Sequence, residues 1–145
     1  MKRRKQRMDK VFQLAELDEK QQARAMGQSQ RSLDDEIKRL EELKAYRLSY
    51  GKECRQGQFN SIQWQDYQNF LKRLDEAVEI QTRVVLDGRH KRDAHRSRWM
   101  SKRRKVESLE KVVTRVRQQE TAAAERTEQK LADELCTNSN RFIGT

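Results

Sequence analysis

Residues 33–51, LDDEIKRLEELKAYRLSYG, and residues 64–78, WQDYQNFLKRLDEAV, decide the fold. In the first, Leu33, Ile37, Leu40, Leu43, Tyr46 and Tyr50 run up to Gly51; in the second, Trp64, Tyr67, Phe70, Leu71, Leu74, Ala77 and Val78 run away from Gly57. Both sets recur at three- and four-residue steps, the period that places side chains on one face of an α-helix. Two such faces on either side of a glycine-containing turn predict an all-α fold. The form is a long antiparallel two-helix coiled-coil hairpin, a shape that works by contacting other proteins.

Working outward, the two glycines and Asn60-Ser61 mark residues 51–61 as the turn, with Ser61 as N-cap of the second helix. The first helix is predicted over about 5–50, with Met8, Phe12, Ala15, Met26, Leu33, Ile37 and Leu40 along its seam. The second, longer helix is predicted over about 62–136, and residues 137–145 form a loose tail. The chain, 1–145, is then a single coiled-coil hairpin.

Composition agrees. Only 34% of the 145 residues are hydrophobic, 39% are charged, and proline is absent. That supply is too small for a globular core but sufficient for a narrow seam between two helices. The basic start, Met1 to Lys5, has no apolar run after it, so no signal peptide is expected. No segment has the ~18 apolar residues of a membrane span. Cys54 in the turn and Cys136 near the end are too far apart in a hairpin to form a disulfide, which suits a reducing compartment.

Pairing outward from the turn sets an expected register: Tyr46 against Tyr67, Leu40 against Leu74, Ile37 against Ala77 and Leu33 near Gln81. The same count places Gly27 beside Gly88, a thin point in the pair, and Phe12 near Trp99 and Lys102. The first helix then ends opposite Val106 to Lys111. The rest of the second helix overhangs with a weak heptad of Val106, Leu109, Val113, Val116 and, farther on, Leu131 and Leu135.

The net charge of +10 is uneven. Residues 1–10 carry six Lys/Arg and one Asp, giving +5; residues 83–105 carry ten Lys/Arg and two Asp, giving +8. In the expected register the two segments form one basic collar. A solvated face accounts for it, but like charges held side by side repel, and an acidic protein surface, nucleic acid or an anionic membrane would relieve them.

One flank is wider than a seam requires. At ~100° per residue, Leu33, Ile37 and Leu40 cluster within about 60°, whereas Leu43, Tyr46 and Tyr50 are displaced by roughly 80–140° in one sense. On the second helix, Phe70 and Ala77 are displaced by about 60–80° from the Tyr67, Leu71, Leu74 and Val78 seam in the same sense. Equal-sense displacements in an antiparallel pair emerge on one side. Leu74 and Leu43 read as broad-seam residues; Tyr46, Tyr50 and Phe70 read as anchors for a partner.

No catalytic constellation is present. His90 and His95 are spaced wrongly for a helical metal pair and read as solvent-exposed. All five glycines are isolated, which excludes a phosphate loop. Asp34-Asp35 and Glu41-Glu42 suit salt-bridged helix faces. The chain reads as a non-enzyme with no cofactor and no small-molecule substrate.

Three segments resemble one family. They are Leu40-x-x-Leu43-x-x-Tyr46-Arg47-x-x-Tyr50; Asn69-Phe70-Leu71-x-x-Leu74-x-x-Ala77-x-x-x-Gln81; and Trp99 followed by Arg103-Arg104-Lys105-Val106-x-Ser108-Leu109-Glu110-Lys111. With Asp133-Glu134, this ordered set is similar to the flagellar export protein FliJ of the bacterial type III export apparatus. The resemblance implies a cytoplasmic protein, peripheral to the membrane at the flagellar base, serving flagellum biogenesis and motility. It implies a stalk like that of the gamma subunit of rotary ATPases, seated in the hexameric export ATPase and promoting its assembly and activity. It also implies contact with the cytoplasmic domain of the membrane export gate, and escort of export chaperones.

On this sequence the gate-binding stripe falls on Arg39, Leu43, Tyr46, Tyr50, Phe70, Leu74, Ala77 and Gln81. Arg39 and Gln81 depart from the Gln and His expected at the stripe's ends. By analogy with the rotor stalk, Lys2, Arg3, Arg4, Lys5, Arg103, Arg104 and Lys105 face the ATPase ring. Two other readings stand beside this one: a basic coiled-coil nucleic-acid binder with strongly salt-dependent affinity, and a scaffold dimerising through residues 106–135. An injectisome stalk would share the mechanism.

Overall fold

A computed structural model describes residues 2–57 and 59–143, and of Lys2 the backbone only. Two long α-helices pack against each other, α1 over Lys2–Gln56 and α2 over Ser61–Ile143, with no strand among the described residues. The second helix is the longer. No helix among the described residues is long and apolar enough to cross a membrane.

Both ends of the turn differ from expectation. Gly51 does not stop α1; the helix continues through Lys52-Glu53-Cys54-Arg55-Gln56, where Cys54 is buried. A glycine inside a helix costs only about 1 kcal/mol, and burial of the following turn offsets it. Asn60, rather than Ser61, caps α2: its Oδ1 accepts from the Gln63 backbone N–H at 2.8 Å, and Gln63 Oε1 accepts from the Asn60 N–H at 3.2 Å. This reciprocal pair is a capping box with glutamine at the third helical position. At the far end α2 stays helical from Thr137 to Ile143 instead of loosening; the Thr137 hydroxyl donates to the Asp133 carbonyl at 2.8 Å. Gly144 and Thr145, also placed in the tail, lie outside the described residues.

Gly57 closes the turn without a positive φ. What it supplies is room. A Cβ there would collide with Phe59 Cε2 and lie 2.5 Å from Cζ. We expect Gly57→Ala to push the Phe59 ring off its neighbour Tyr67, 4.9 Å away between centroids, and to cost about 1 kcal/mol of stability by lost ring packing. Urea melts would measure the loss; an unchanged midpoint would contradict the steric account.

The longer α1 shifts the register. In the unit formed by Gln21–Met100, Tyr50 rather than Tyr46 stacks on Tyr67. Arg47 pairs with Asp75 at 2.7 Å, Gln81 reaches Glu36, and Arg92 Nη1 reaches Gln30 Oε1 at 3.4 Å. Leu33 faces Gly88, not Gln81: a Cβ on Gly88 would meet Leu33 Cδ1 at 3.2 Å, while a Cβ on Gly27 would meet nothing within 4 Å. The two glycines therefore do not form a shared thin point. Leu33, Cys54, Leu71, Leu74 and Val85 are the buried seam of this unit.

The second unit comprises Met1–Lys20 with Ser101–Thr145. Ala15, Val106 and Val113 are buried there. Lys102 pairs with Asp18 at 2.7 Å, Arg117 with Asp9 at 3.7 Å and Lys5 with Glu120 at 3.7 Å. The start of α1 thus lies level with Glu120, and the stretch Val106 to Val116 is paired seam rather than overhang. Both cysteines are free, Cys54 buried and Cys136 exposed.

Candidate functional site

The strongest feature of the Gln21–Met100 unit is an aromatic cluster beside the turn. Tyr50 and Tyr67 stack at 4.4 Å between centroids; Phe70 lies 4.6 Å from Tyr50 and Tyr46 lies 6.0 Å from it. The Tyr67 hydroxyl donates to the Tyr50 carbonyl at 3.2 Å, which locks α2 against α1. Partial burial, reinforced by the nearby Tyr50, Glu53, Cys54 and Tyr46, pushes the Tyr67 phenol above its ordinary value near 10. The cluster is anchored from within by Tyr67 and opens outward through Tyr46, which is 51% exposed. Phe59, packed on Tyr67, joins it. Sequence periodicity misses Phe59 because it stands in the turn, outside both helices.

The eight stripe residues divide into three groups. Tyr46, Tyr50 and Phe70 come together, Tyr46 exposed and the other two half-buried. Leu74 is buried in the seam, while Leu43 and Ala77 are half-buried. Arg39 and Gln81 are both held by Glu36. Gln81 Nε2 donates to the Glu36 carbonyl at 2.9 Å and to its carboxylate at 2.6 Å, and Arg39 Nη1 donates to the same side chain at 3.1 Å. Nothing in the amino-acid pattern singled out Glu36. A glutamine four residues beyond an alanine of the stripe becomes a cross-helix clasp only in the actual register.

The basic residues do not form one collar. Arg3, Arg4, Lys5, Arg103, Arg104 and Lys105 are all exposed, and the Lys2 side chain lies outside the described residues. Lys5 sits level with Glu120, whereas Lys102 sits level with Asp18. The N-terminal cluster and the Lys102–Lys105 cluster are thus separated by about 20 Å along the pair, at a rise of roughly 1.5 Å per residue. Physically, the shift in register that lengthened α1 carried its basic start past its expected partners. Lys5 and Arg103 each have an acid nearby, Glu120 at 3.7 Å and Glu107 at 3.4 Å; exposed pairs of this kind contribute little.

His90 is exposed, but His95 is half-buried, and its Nδ1 is shielded without a hydrogen-bond partner. It lines a groove of about 580 Å³ with Ser29, Ser32, Gly88 and Lys91 among others. Of the two carboxylates lining it, Glu36 is already paired with Arg39, which leaves Lys91 against Asp87, so the groove favours neither sign of ligand. Among the described residues no group of three potential metal ligands occurs.

A family model, Flagellar FliJ protein, matches residues 4–142, nearly the whole chain. No curated protein and no solved structure gives a match.

Proposed function

The chain belongs to the flagellar FliJ family, a non-catalytic part of flagellar protein export, and we propose that it acts there as the stalk of the export ATPase. In this reading the Arg3–Lys5 and Arg103–Lys105 clusters, with Lys2, meet acidic loops lining the hexameric ATPase ring and promote its assembly and activity. The aromatic face at Tyr46, Tyr50 and Phe70 engages the cytoplasmic domain of the membrane export gate, so the protein couples ring to gate. Empty export chaperones dock on the same stalk between rounds of delivery. The site of action is the cytoplasmic face of the flagellar base.

One observation carries the reading: an aromatic side chain half exposed on the face of a two-helix pair, backed by rings that hold it rigid. Rigid aromatics lose little entropy on binding and dominate interface energetics. Tyr46 is the clean probe, since among the described residues its one ring contact is Tyr50, while Tyr50 and Phe70 also support the fold. We expect Tyr46→Ala to weaken binding to the purified gate domain by at least about tenfold, or about 1.4 kcal/mol, with helix content and melting midpoint unchanged. Undiminished binding in a titration would remove this face from the gate contact.

A further inference from the structure

Within the unit of Met1–Lys20 and Ser101–Thr145 the two flanks of the helix pair are unequal. One flank is internally neutralised, with Asp9 against Arg117 and Arg103 against Glu107. The other carries two rows. On α1, Arg4, Arg7, Val11 and Leu14 recur at three- and four-residue steps and so share a face. On α2, Lys105, Val112, Val116 and Gln119 follow at steps of seven, four and three and likewise share a face. Arg4 lines a small groove of about 80 Å³ together with Val116, Gln119 and Glu120, which fixes both rows on one side of the pair.

This flank is apolar in the middle and basic at the rim. Val11, Leu14 and Val112 are 44%, 66% and 40% exposed. Among the described residues, Arg4, Arg7 and Lys105 around them make no ion pair. Two acids border this side and both are already held, Asp18 by Lys102 at 2.7 Å and Glu120 by Lys5 at 3.7 Å. Seam packing does not explain the strip, because Ala15, Val106 and Val113 already fill the seam.

We propose that this flank is the docking surface for a third helix, supplied by a protein partner, with an apolar stripe bordered by Asp and Glu. Two helices side by side present a shallow furrow into which a third packs at the small crossing angle of coiled coils. The rows run for about 15–20 Å at roughly 1.5 Å per residue, so about three to four turns of the partner are engaged. Charge selects the occupant: with Glu120 neutralised by Lys5 the rim has a basic excess, and a helix with acidic borders pairs with Arg4, Arg7 and Lys105 while its stripe covers Val11, Leu14 and Val112. An anionic membrane would satisfy the charges, but three aliphatic side chains without an aromatic make a poor insertion face. Arg4 and Lys105 also belong to the ring-facing set, so the test uses a probe other than the ATPase.

The probe is a synthetic helical peptide of about four turns with a leucine stripe and glutamate borders, followed by fluorescence anisotropy against the full chain. One-to-one saturation is expected. The same peptide with lysine borders should bind at least about tenfold more weakly, and Leu14→Ser with Val112→Ser should weaken the acidic peptide by a similar factor. Arg7→Glu should do likewise, whereas Arg117→Gln, on the neutralised flank, should leave binding unchanged. Equal binding of both peptides, insensitivity to the Leu14 and Val112 changes, or no saturation would overturn the proposal. So would sedimentation with phosphatidylglycerol vesicles that depends on these residues while peptide binding does not. Circular dichroism of each variant separates lost docking from lost folding.

Discussion

Leu33→Ala should destabilise the protein by about 2–5 kcal/mol, the largest effect of any single substitution in the seam. Leu33 is 1% exposed and its Cδ1 fills the space that Gly88 leaves open. Truncation removes apolar contact and leaves a cavity that the surrounding helices relax into only partly. The same geometry supplies a rescue. In the Leu33→Ala background, Gly88→Ala should recover about 1 kcal/mol, by occupying part of the cavity and by better helix propensity. Urea denaturation followed by far-ultraviolet circular dichroism checks both. A loss below about 1 kcal/mol for Leu33→Ala, or no rescue, would show that this level of the seam is looser than the contact implies.

Reversing Arg103, Arg104 and Lys105 to glutamate should abolish stimulation of the export ATPase while leaving gate binding intact. The three side chains are exposed, and among the described residues only Arg103 is ion-paired, with Glu107 at 3.4 Å. Helix stability therefore changes by only a few tenths of a kcal/mol, from an exposed pair turned into a like-charge neighbour. Across an interface with an acidic ring the effect is far larger, since three attractions become three repulsions. ATP hydrolysis measured with wild-type and reversed protein, beside a gate-domain binding assay, checks the prediction. Stimulation that survives the reversal would take this cluster out of the ring contact.

How much of this was legible in the sequence depended on which coordinate was being read. Rotation about each helix follows from the period alone, so the seam at Leu33, Leu71 and Leu74 and the outward face at Tyr46 were readable without a structure. Level along the pair depends on where the turn sits. Gly51 looked like a helix end, yet burial of Cys54 carried α1 on to Gln56, and every cross-helix partner moved with it. The expected collar and the expected Gly27–Gly88 pairing failed for that one reason. Phe59, the Asn60–Gln63 cap and the Glu36 clasp were invisible to periodicity because each depends on turn geometry or register. The gate and ring assignments came from family resemblance, and the seam itself says nothing about either.

The stalk reading is tested most directly by titrating the cognate flagellar ATPase with this protein while following hydrolysis and hexamer formation together. The account predicts stimulation that saturates at about one molecule per ring, with ring formation rising in parallel. Absence of both stimulation and ring assembly would contradict it.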